Sequence, residues 1–242
     1  MRLSRVFVAA PLENGARVTL AGDAASHVTR VLRLRPGAPL ALFNGTGGEY
    51  SGTIAAIRAG TVTVTVGEAQ RIERESPLRV TLAQGVSRGE RMDLVVQKAT
   101  ELGVSRILPV FTARSVVKLE GHKAVRRLEH WRAIAIGACE QSGRNRPPEV
   151  SSPVDLEELL RAERTGTRLL LSPAAALRVA QVARPEGAVL VLIGPEGGLA
   201  EEEQQRALAA GFLGVRLGPR VLRTETAAIA ALVLLQREFG DL

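Results

Sequence analysis

From residue 78 to residue 239 the chain alternates short apolar runs, typical of buried strands, with longer segments of helical period. The run AVLVLIG, which ends at Gly194, is followed by the helical pattern EEEQQRALAAG, which begins at Glu201. Strands that alternate with helices in this way are most simply joined by crossovers that leave the strands parallel. The alternation therefore predicts an α/β domain built on a mainly parallel sheet.

Residues 1–72 have a different pattern, with short strand-like segments separated by Gly, Asn and Pro turns. The clearest is TVTVTV at 61–66, whose strict alternation is typical of a strand with one buried face. Residues 23–37, DAASHVTRVLRLRPG, have the pattern of a single helix that ends at Pro-Gly. Short strands at this spacing predict a small β-barrel. The charged segment 71–77 marks a boundary, so we expect one domain over 1–72 and a second over 77–242.

Charge and cysteine content narrow the class of protein. The net charge is +7, and residues 79–150 alone carry +6, mostly through arginine. Arginine suits phosphate contacts and stacking on bases, which favours a nucleic-acid partner, although arginines that only solvate the surface give the same composition. Cys139 is the single cysteine, so no disulfide forms within the chain. No segment is typical of a signal peptide or a membrane span, and we expect a cytoplasmic protein without a membrane partner.

Three successive strand ends carry unusual loops in the second half of the chain. Their sequences are LLLSPAAA, LIGPEGGLAEEE and VRLGPRVLRTETA. Ligands of open α/β sheets bind at the carboxyl ends of the strands. Glycine allows a ligand to approach the main chain, and proline fixes the turn. Together the three loops predict a ligand site at one edge of the sheet.

The glutamates at 201–203 restrict the ligand of that site. A helix N-terminus carries a partial positive charge, which three carboxylates would neutralise, and they would repel a bound anion. The chain also lacks a Walker lysine and the spacing G-x-G-x-x-G. A phosphate or dinucleotide is therefore disfavoured, and a neutral or cationic ligand held by main-chain atoms, such as an adenosine bearing a sulfonium, is favoured. Alternatively, the glutamates only stabilise the start of the helix.

Five segments, in the order in which they occur, carry a resemblance to one protein family. They are HVTRVLRLRPGAPLALFNGTGGEYSGTI, QGVSRGERMDLVVQKATELGVSRILPVFTARSV, ACEQSGRNRPPEV, IGPEGGLAEEE and LGPRVLRTETAAIAALVLLQ. Together they are similar to the RsmE family, the small-subunit rRNA uracil-N3 methyltransferases of the SPOUT superfamily. The first segment resembles the PUA-like barrel with which that family begins.

The resemblance implies a fold, an activity and a cofactor. It implies a PUA-like RNA-binding β-barrel followed by a SPOUT α/β domain with a trefoil knot, assembled as a homodimer. The implied activity is S-adenosylmethionine-dependent methylation of N3 of a specific uridine in 16S rRNA of the small ribosomal subunit. The implied cofactor-binding residues are Leu171, Ser172, Gly194, Gly198, Leu217, Gly218, Leu222, Thr226 and Ala227.

Methyl transfer to an imide nitrogen sets the chemical roles that the site must fill. The N3 proton must leave, or the charge that develops on the uracil oxygens must be stabilised. We expect Arg223 to stabilise that charge, and Glu196 or Glu225 to accept the proton or to orient the base. Two alternatives stay open, in which Arg223 contacts a phosphate and Glu225 caps a helix.

Contacts with RNA are expected from a set of arginines, because phosphate neutralisation dominates affinity for nucleic acid. Arg30 and Arg33 are three residues apart in the predicted helix and would share one face. The full set is Arg30, Arg33, Arg88, Arg91 and Arg144. No metal is expected, since methyl transfer from a sulfonium requires none and the three histidines lack partners at ligand spacing.

Two other functions fit part of these observations. One is a non-catalytic RNA-binding or ribosome-assembly protein on the same fold, which leaves the three loops unexplained. The other is a SPOUT methyltransferase that acts on another RNA position. A nucleotide-dependent oxidoreductase is disfavoured because the dinucleotide fingerprint is missing.

Overall fold

The structure, a computed structural model, describes residues 3–115, 121–162 and 166–242. The chain divides into two compact units. The first contains Met1–Glu75 and Cys139–Pro147, and the second contains Ser76–Ala138 and Pro148–Leu242. The return of residues 139–147 to the first unit was not predicted from the sequence.

The first unit is built on one five-stranded sheet, in which side chains from every strand share a single core. Its strands are β1 (Arg5–Phe7), β2 (Arg17–Leu20), β3 (Pro39–Phe43), β4 (Glu49–Arg58) and β5 (Thr61–Gln70), in the order β1-β3-β4-β5-β2. Val62, Val64 and Val66 of β5 are buried, which confirms the alternation read from TVTVTV. The edges of the sheet are β1 and β2, and no ladder joins them within the described residues, so the hydrogen bonding does not close a barrel.

The helix predicted over 23–37 is shorter than expected. Helix α1 spans Gly22–Ser26 and continues as a single π-helical stretch, His27–Val31, which the Leu32 N–H closes by donating to the His27 carbonyl at 2.9 Å. Arg33 then adopts a φ of +52°, which turns the backbone out of the helix. The prediction that Arg30 and Arg33 share a helical face is therefore wrong, because the helix ends between them.

The second unit contains an eight-stranded sheet whose ladders are all parallel, as the alternation predicted. Its strands are β6 (Val80–Gly85), β7 (Arg106–Phe111), β8 (Glu149–Val150), β9 (Val154–Asp155), β10 (Thr167–Leu171), β11 (Leu177–Arg178), β12 (Val189–Ile193) and β13 (Leu213–Arg216). Their order is β11-β13-β10-β12-β6-β7-β8, and β9 also pairs with β7. Because β13, β10 and β12 are neighbours, the three loops singled out in the sequence leave the same edge of the sheet.

Helices cover both faces of this sheet, which gives the unit two cores. The helices are α2 (Glu90–Glu101), α3 (Gly121–Ser142, which from Cys139 onward belongs to the first unit), α4 (Leu156–Ala162), α5 (Glu201–Ala209) and α6 (Thr224–Phe239). On one face Met92, Trp131 and Leu232 pack together with Val191 of β12, and on the other Leu159 packs in the cluster that contains Leu192 of the same strand. In the described residues no helix combines the length and apolarity needed to cross a bilayer.

Candidate active site

A cavity of about 320 Å³ opens where β10, β12 and β13 end. Eight of the nine predicted cofactor-binding residues line it: Leu171, Ser172, Gly194, Gly198, Leu217, Gly218, Leu222 and Ala227. The ninth, Thr226, is exposed on α6 and does not line the cavity, whereas Thr224 does. A helix turns about 100° per residue, so the inward face that carries Ala227 also carries residue 224 and not 226.

Glycines allow the loop after β12 to fold tightly at the cavity wall. A Cβ atom on Gly194 would lie 2.8 Å from main-chain atoms of Gly198 and Leu199. A Cβ atom on Gly85, at the end of β6, would lie 2.4 Å from the main-chain nitrogen of Pro195. The Gly198 N–H donates to the Pro195 carbonyl at 2.8 Å and closes the turn. Backbone thus packs directly on backbone here, and no other residue type fits at 85 or 194.

We expect Gly194→Ala to lower the free energy of unfolding by about 1–3 kcal/mol, since the added methyl group meets main-chain atoms that cannot move aside. Gly218→Ala is the matched control, because a Cβ atom at 218 has no neighbour within 4 Å although the residue lines the same cavity. Urea unfolding of both variants checks this. Equal stability of the two would show that the loop relaxes freely.

A buried hydrogen-bond chain joins the end of β6, the loop after β12 and the start of α6. The side-chain amide of Gln84, which is fully buried, donates to Thr224 Oγ1 at 2.9 Å. The Thr224 hydroxyl donates in turn to the Gly194 carbonyl at 2.6 Å. Gln84 Oε1 has no hydrogen-bond partner among the described residues. The chain fixes Thr224 at the cavity wall, which explains why a threonine lies there.

Of the three glutamates at the start of α5, only Glu203 is buried. Its Oε2 accepts a hydrogen bond from the Ala200 N–H at 2.8 Å, and its Oε1 accepts one from the Ala113 N–H at 2.7 Å. The interpretation that the glutamates stabilise the helix start is thus confirmed for Glu203. The same carboxylate also binds the loop that follows β7.

That fourth loop brings Arg114 to the cavity, a residue that sequence reasoning missed. Arg114 Nη1 donates to the Gly197 carbonyl at 2.8 Å, and the side chain lines the cavity. The exit of β7, FTARS, has neither glycine nor proline to mark it. Its position after a parallel strand was the only available signal.

A second, smaller cavity of about 170 Å³ borders the first and shares Glu196 and Thr224 with it. Its lining also includes Arg91, Arg223 and Glu225. The structure therefore brings together all three predicted catalytic residues. Glu225 Oε2 is buried and accepts no hydrogen bond from any described residue. Among the described residues this carboxylate oxygen therefore has no partner, and its residue lines the small cavity.

Glu196 is held as an anion by its surroundings. Its Oε1 accepts hydrogen bonds from the Arg88 N–H at 3.0 Å and from Arg91 Nη1 at 2.7 Å. Burial acts to raise the pKa of Glu196, but these hydrogen bonds and the charge of Arg91 outweigh it and lower the pKa. A carboxylate of lowered pKa is a weak base, so Glu196 is better suited to orienting a group than to accepting a proton.

The arginines predicted to contact RNA lie in different surroundings. Arg30, Arg33 and Arg88 are exposed, and Arg91 is half-buried in its pair with Glu196. Arg144 is only 4% exposed, and its Nε donates to Glu75 Oε2 at 2.9 Å within the first unit. The prediction that Arg144 contacts RNA is wrong, because a guanidinium buried against a carboxylate is not available to a phosphate.

The histidines and Cys139 are the other candidates for metal binding or nucleophilic chemistry. Among the described residues, no three His, Cys, Asp or Glu side chains form a group that could hold a metal ion. Cys139 is fully buried, and burial raises the pKa of its thiol to about 12. The thiol is therefore protonated at neutral pH and does not act as a nucleophile.

Comparison with known families identifies both halves of the chain. Residues 74–236 match the family model of an RNA methyltransferase domain, and residues 20–67 match that of an RNA methyltransferase PUA domain. The chain is 33% identical over 242 residues to ribosomal RNA small subunit methyltransferase E of Buchnera aphidicola, covering 100% of this chain and 98% of that protein. It is 31% identical over 230 residues to the protein of the same name from Bacillus subtilis, covering 91% and 90%.

Two solved structures resemble the chain over its full length. One is a protein from Legionella pneumophila in complex with S-adenosylmethionine as bound cofactor, with 42% identity, a TM-score of 0.97 and 100% of both chains covered. The other is ribosomal RNA small subunit methyltransferase E from Neisseria gonorrhoeae bound to S-adenosylmethionine, with 37% identity, a TM-score of 0.92 and the same coverage.

Proposed function

The chain belongs to the RsmE family of ribosomal RNA small subunit methyltransferases, and we propose that it transfers a methyl group from S-adenosylmethionine to N3 of a uridine in 16S rRNA. One observation carries this proposal. The cavity lined by eight predicted cofactor-binding residues borders a second cavity that contains Arg223 and Glu225. A methyl donor in the first and a base in the second would be neighbours.

The large cavity fits the cofactor chemically. Its wall consists mainly of glycine, proline and apolar residues, as suits an adenosine that backbone amides and carbonyls would read. At Gly194, which lines the cavity, the main chain of the loop packs directly on itself. When bound, S-adenosylmethionine supplies an electrophilic methyl group on a positively charged sulfur. We assign the residues that hold it as Leu171, Ser172, Gly194, Gly198, Leu217, Gly218, Leu222 and Ala227, with Thr224 in place of Thr226.

We assign the residues around the small cavity to the uracil. The N3 position takes part in base pairing, so the base must be unpaired or extruded to reach the site. Arg223 would stabilise charge on the uracil oxygens as the N3 proton leaves. Glu225, whose Oε2 has no partner among the described residues, is the better proton acceptor, whereas Glu196 is held by Arg88 and Arg91.

The finer features of the family belong to the same proposal. We infer that residues 77–242 form a SPOUT methyltransferase domain with a trefoil knot, that residues 1–72 form a PUA-like RNA-binding domain, and that the protein acts as a cytoplasmic homodimer. Membership of the family is the ground for the knot, and exposed Arg30, Arg33 and Arg88 support RNA binding. Molecular mass in solution tests the dimer.

A transfer assay tests the activity directly. Purified protein and labelled S-adenosylmethionine are incubated with small ribosomal subunits from a strain that lacks the enzyme, and with free 16S rRNA. We expect label at N3 of a single uridine. Label at another nucleotide would indicate a SPOUT methyltransferase that acts on a different RNA position. Binding of RNA without either label transfer or cofactor binding would favour the non-catalytic assembly protein.

A further inference from the structure

Arg114 lies at the wall of the large cavity, on the loop that follows β7, and its role is not explained by the assignments above. We propose that Arg114 binds the carboxylate of the amino-acid part of the cofactor. This inference rests on the proposed function, since it takes the large cavity as the S-adenosylmethionine site. It adds a charged subsite to a wall that consists mainly of glycine, proline and apolar residues.

The loop that carries Arg114 is fixed at several points. The Ser115 N–H donates to the Thr112 carbonyl at 2.9 Å, and the Thr112 N–H donates to Ser115 Oγ at 3.0 Å. The buried carboxylate of Glu203 accepts the neighbouring Ala113 N–H at 2.7 Å. A short turn closed in this way holds its central residue in one place.

The side chain of Arg114 is also positioned before any ligand binds. Its aliphatic part packs on Gly197, where a Cβ atom would lie 3.2 Å from Arg114 Cβ and 3.4 Å from Arg114 Cδ. Its Nη1 donates to the Gly197 carbonyl at 2.8 Å. A guanidinium has five N–H donors, so most remain for a ligand. A pre-organised planar fork is the group that binds a carboxylate through two hydrogen bonds.

The charges around the cavity select Arg114 over the other candidates. Three charged residues line it, namely Arg114, Arg220 and Glu196. Glu196 has the wrong sign for a carboxylate and is paired with Arg91. Arg114 forms no ion pair with any described residue, so its charge is available. Arg220 lies beside Val221, which is 81% exposed, and no hydrogen bond to a described residue holds its side chain.

Two ligands that differ only in the carboxylate test the proposal. Calorimetry gives the Kd of S-adenosylmethionine and of its decarboxylated form, without RNA, for the wild type, Arg114→Ala, Arg114→Lys and Arg220→Ala. We expect the wild type to prefer the carboxylated ligand by roughly 10- to 100-fold, the range for a hydrogen bond between charged groups. Arg114→Ala should abolish that preference, because it weakens the binding of S-adenosylmethionine and leaves the binding of the decarboxylated ligand unchanged. Arg114→Lys should keep part of the preference, and Arg220→Ala should keep most of it.

Each contrary result has a separate meaning. If Arg114→Ala weakens the binding of both ligands equally, the residue only shapes the loop and the proposal is overturned. If it keeps the wild-type preference, the carboxylate binds elsewhere, and loss of the preference in Arg220→Ala would assign that arginine instead. If the wild type binds neither ligand, the proposed function fails together with the subsite. Binding of the decarboxylated ligand by Arg114→Ala shows that the variant is folded.

Discussion

Replacing Arg223 with alanine should lower kcat roughly 100- to 1,000-fold, the cost of removing one donor that stabilises developing charge. Arg223 lines the small cavity with Glu225 and is absent from the wall of the large one. The affinity for S-adenosylmethionine should therefore change little. Single-turnover methylation of small ribosomal subunits gives the rate of the chemical step, and calorimetry gives the Kd of the cofactor.

Two further variants make the Arg223 result specific. Arg237→Ala removes an exposed arginine from the last turn of α6, the helix that Arg223 directly precedes, and should leave kcat unchanged. Arg223→Lys keeps the positive charge but loses the planar fork, so an intermediate rate is expected. Equal losses in rate and cofactor affinity for Arg223→Ala would assign Arg223 to the cofactor. A higher KM for RNA with an unchanged kcat would instead indicate that Arg223 contacts a phosphate.

Most of the site follows from sequence because it is built by features that leave a local signal. Glycine and proline at the exits of β12 and β13 mark places where main chain must turn sharply or approach a ligand. The loop that contains Gly194 was identified in this way, and the crowding around the Cβ position of Gly194 supplies the physical reason. The parallel sheet was also predictable, since the hydrophobic period of each segment and the alternation of strands with helices indicate it. These signals need no knowledge of distant contacts.

The residues that were missed or misplaced depend on contacts across the chain. Arg144 was read as a phosphate contact from its charge, but its partner Glu75 is distant in sequence. Arg114 lies at the cavity because Glu203, on helix α5, accepts a hydrogen bond from the main chain of the Arg114 loop. Thr226 was one step out of phase with the inward face of α6, whereas Thr224 is fixed there by Gln84. Arg33 lies beyond a π-helical stretch that no residue pattern predicted.

Arg144→Ala should destabilise the first unit by about 2–4 kcal/mol, because it leaves the partly buried carboxylate of Glu75 without its counter-charge. Arg144 Nε donates to Glu75 Oε2 at 2.9 Å, and Glu75 Oε1 accepts main-chain N–H groups of Asn145 at 3.2 Å and Arg146 at 3.1 Å. Asn145, which is fully buried, donates through Nδ2 to the Ile72 carbonyl at 2.6 Å. The Arg144–Glu75 pair thus holds residues 139–147 within the unit. Amide hydrogen exchange in that segment should therefore be faster in Arg144→Ala.

The neighbouring arginine provides the control for Arg144. Arg146 pairs with Glu73 at 3.2 Å, but these side chains are 52% and 43% exposed, so Arg146→Ala should cost only about 0–1 kcal/mol. Replacing both Arg144 and Glu75 with apolar residues of similar size should recover only part of the stability, since no unpaired charge remains but the main-chain N–H groups of Asn145 and Arg146 lose their acceptor. A phosphate contact would behave differently. Its loss would leave stability unchanged and reduce the salt dependence of RNA binding by about one unit of slope, a result that would return Arg144 to the RNA interface.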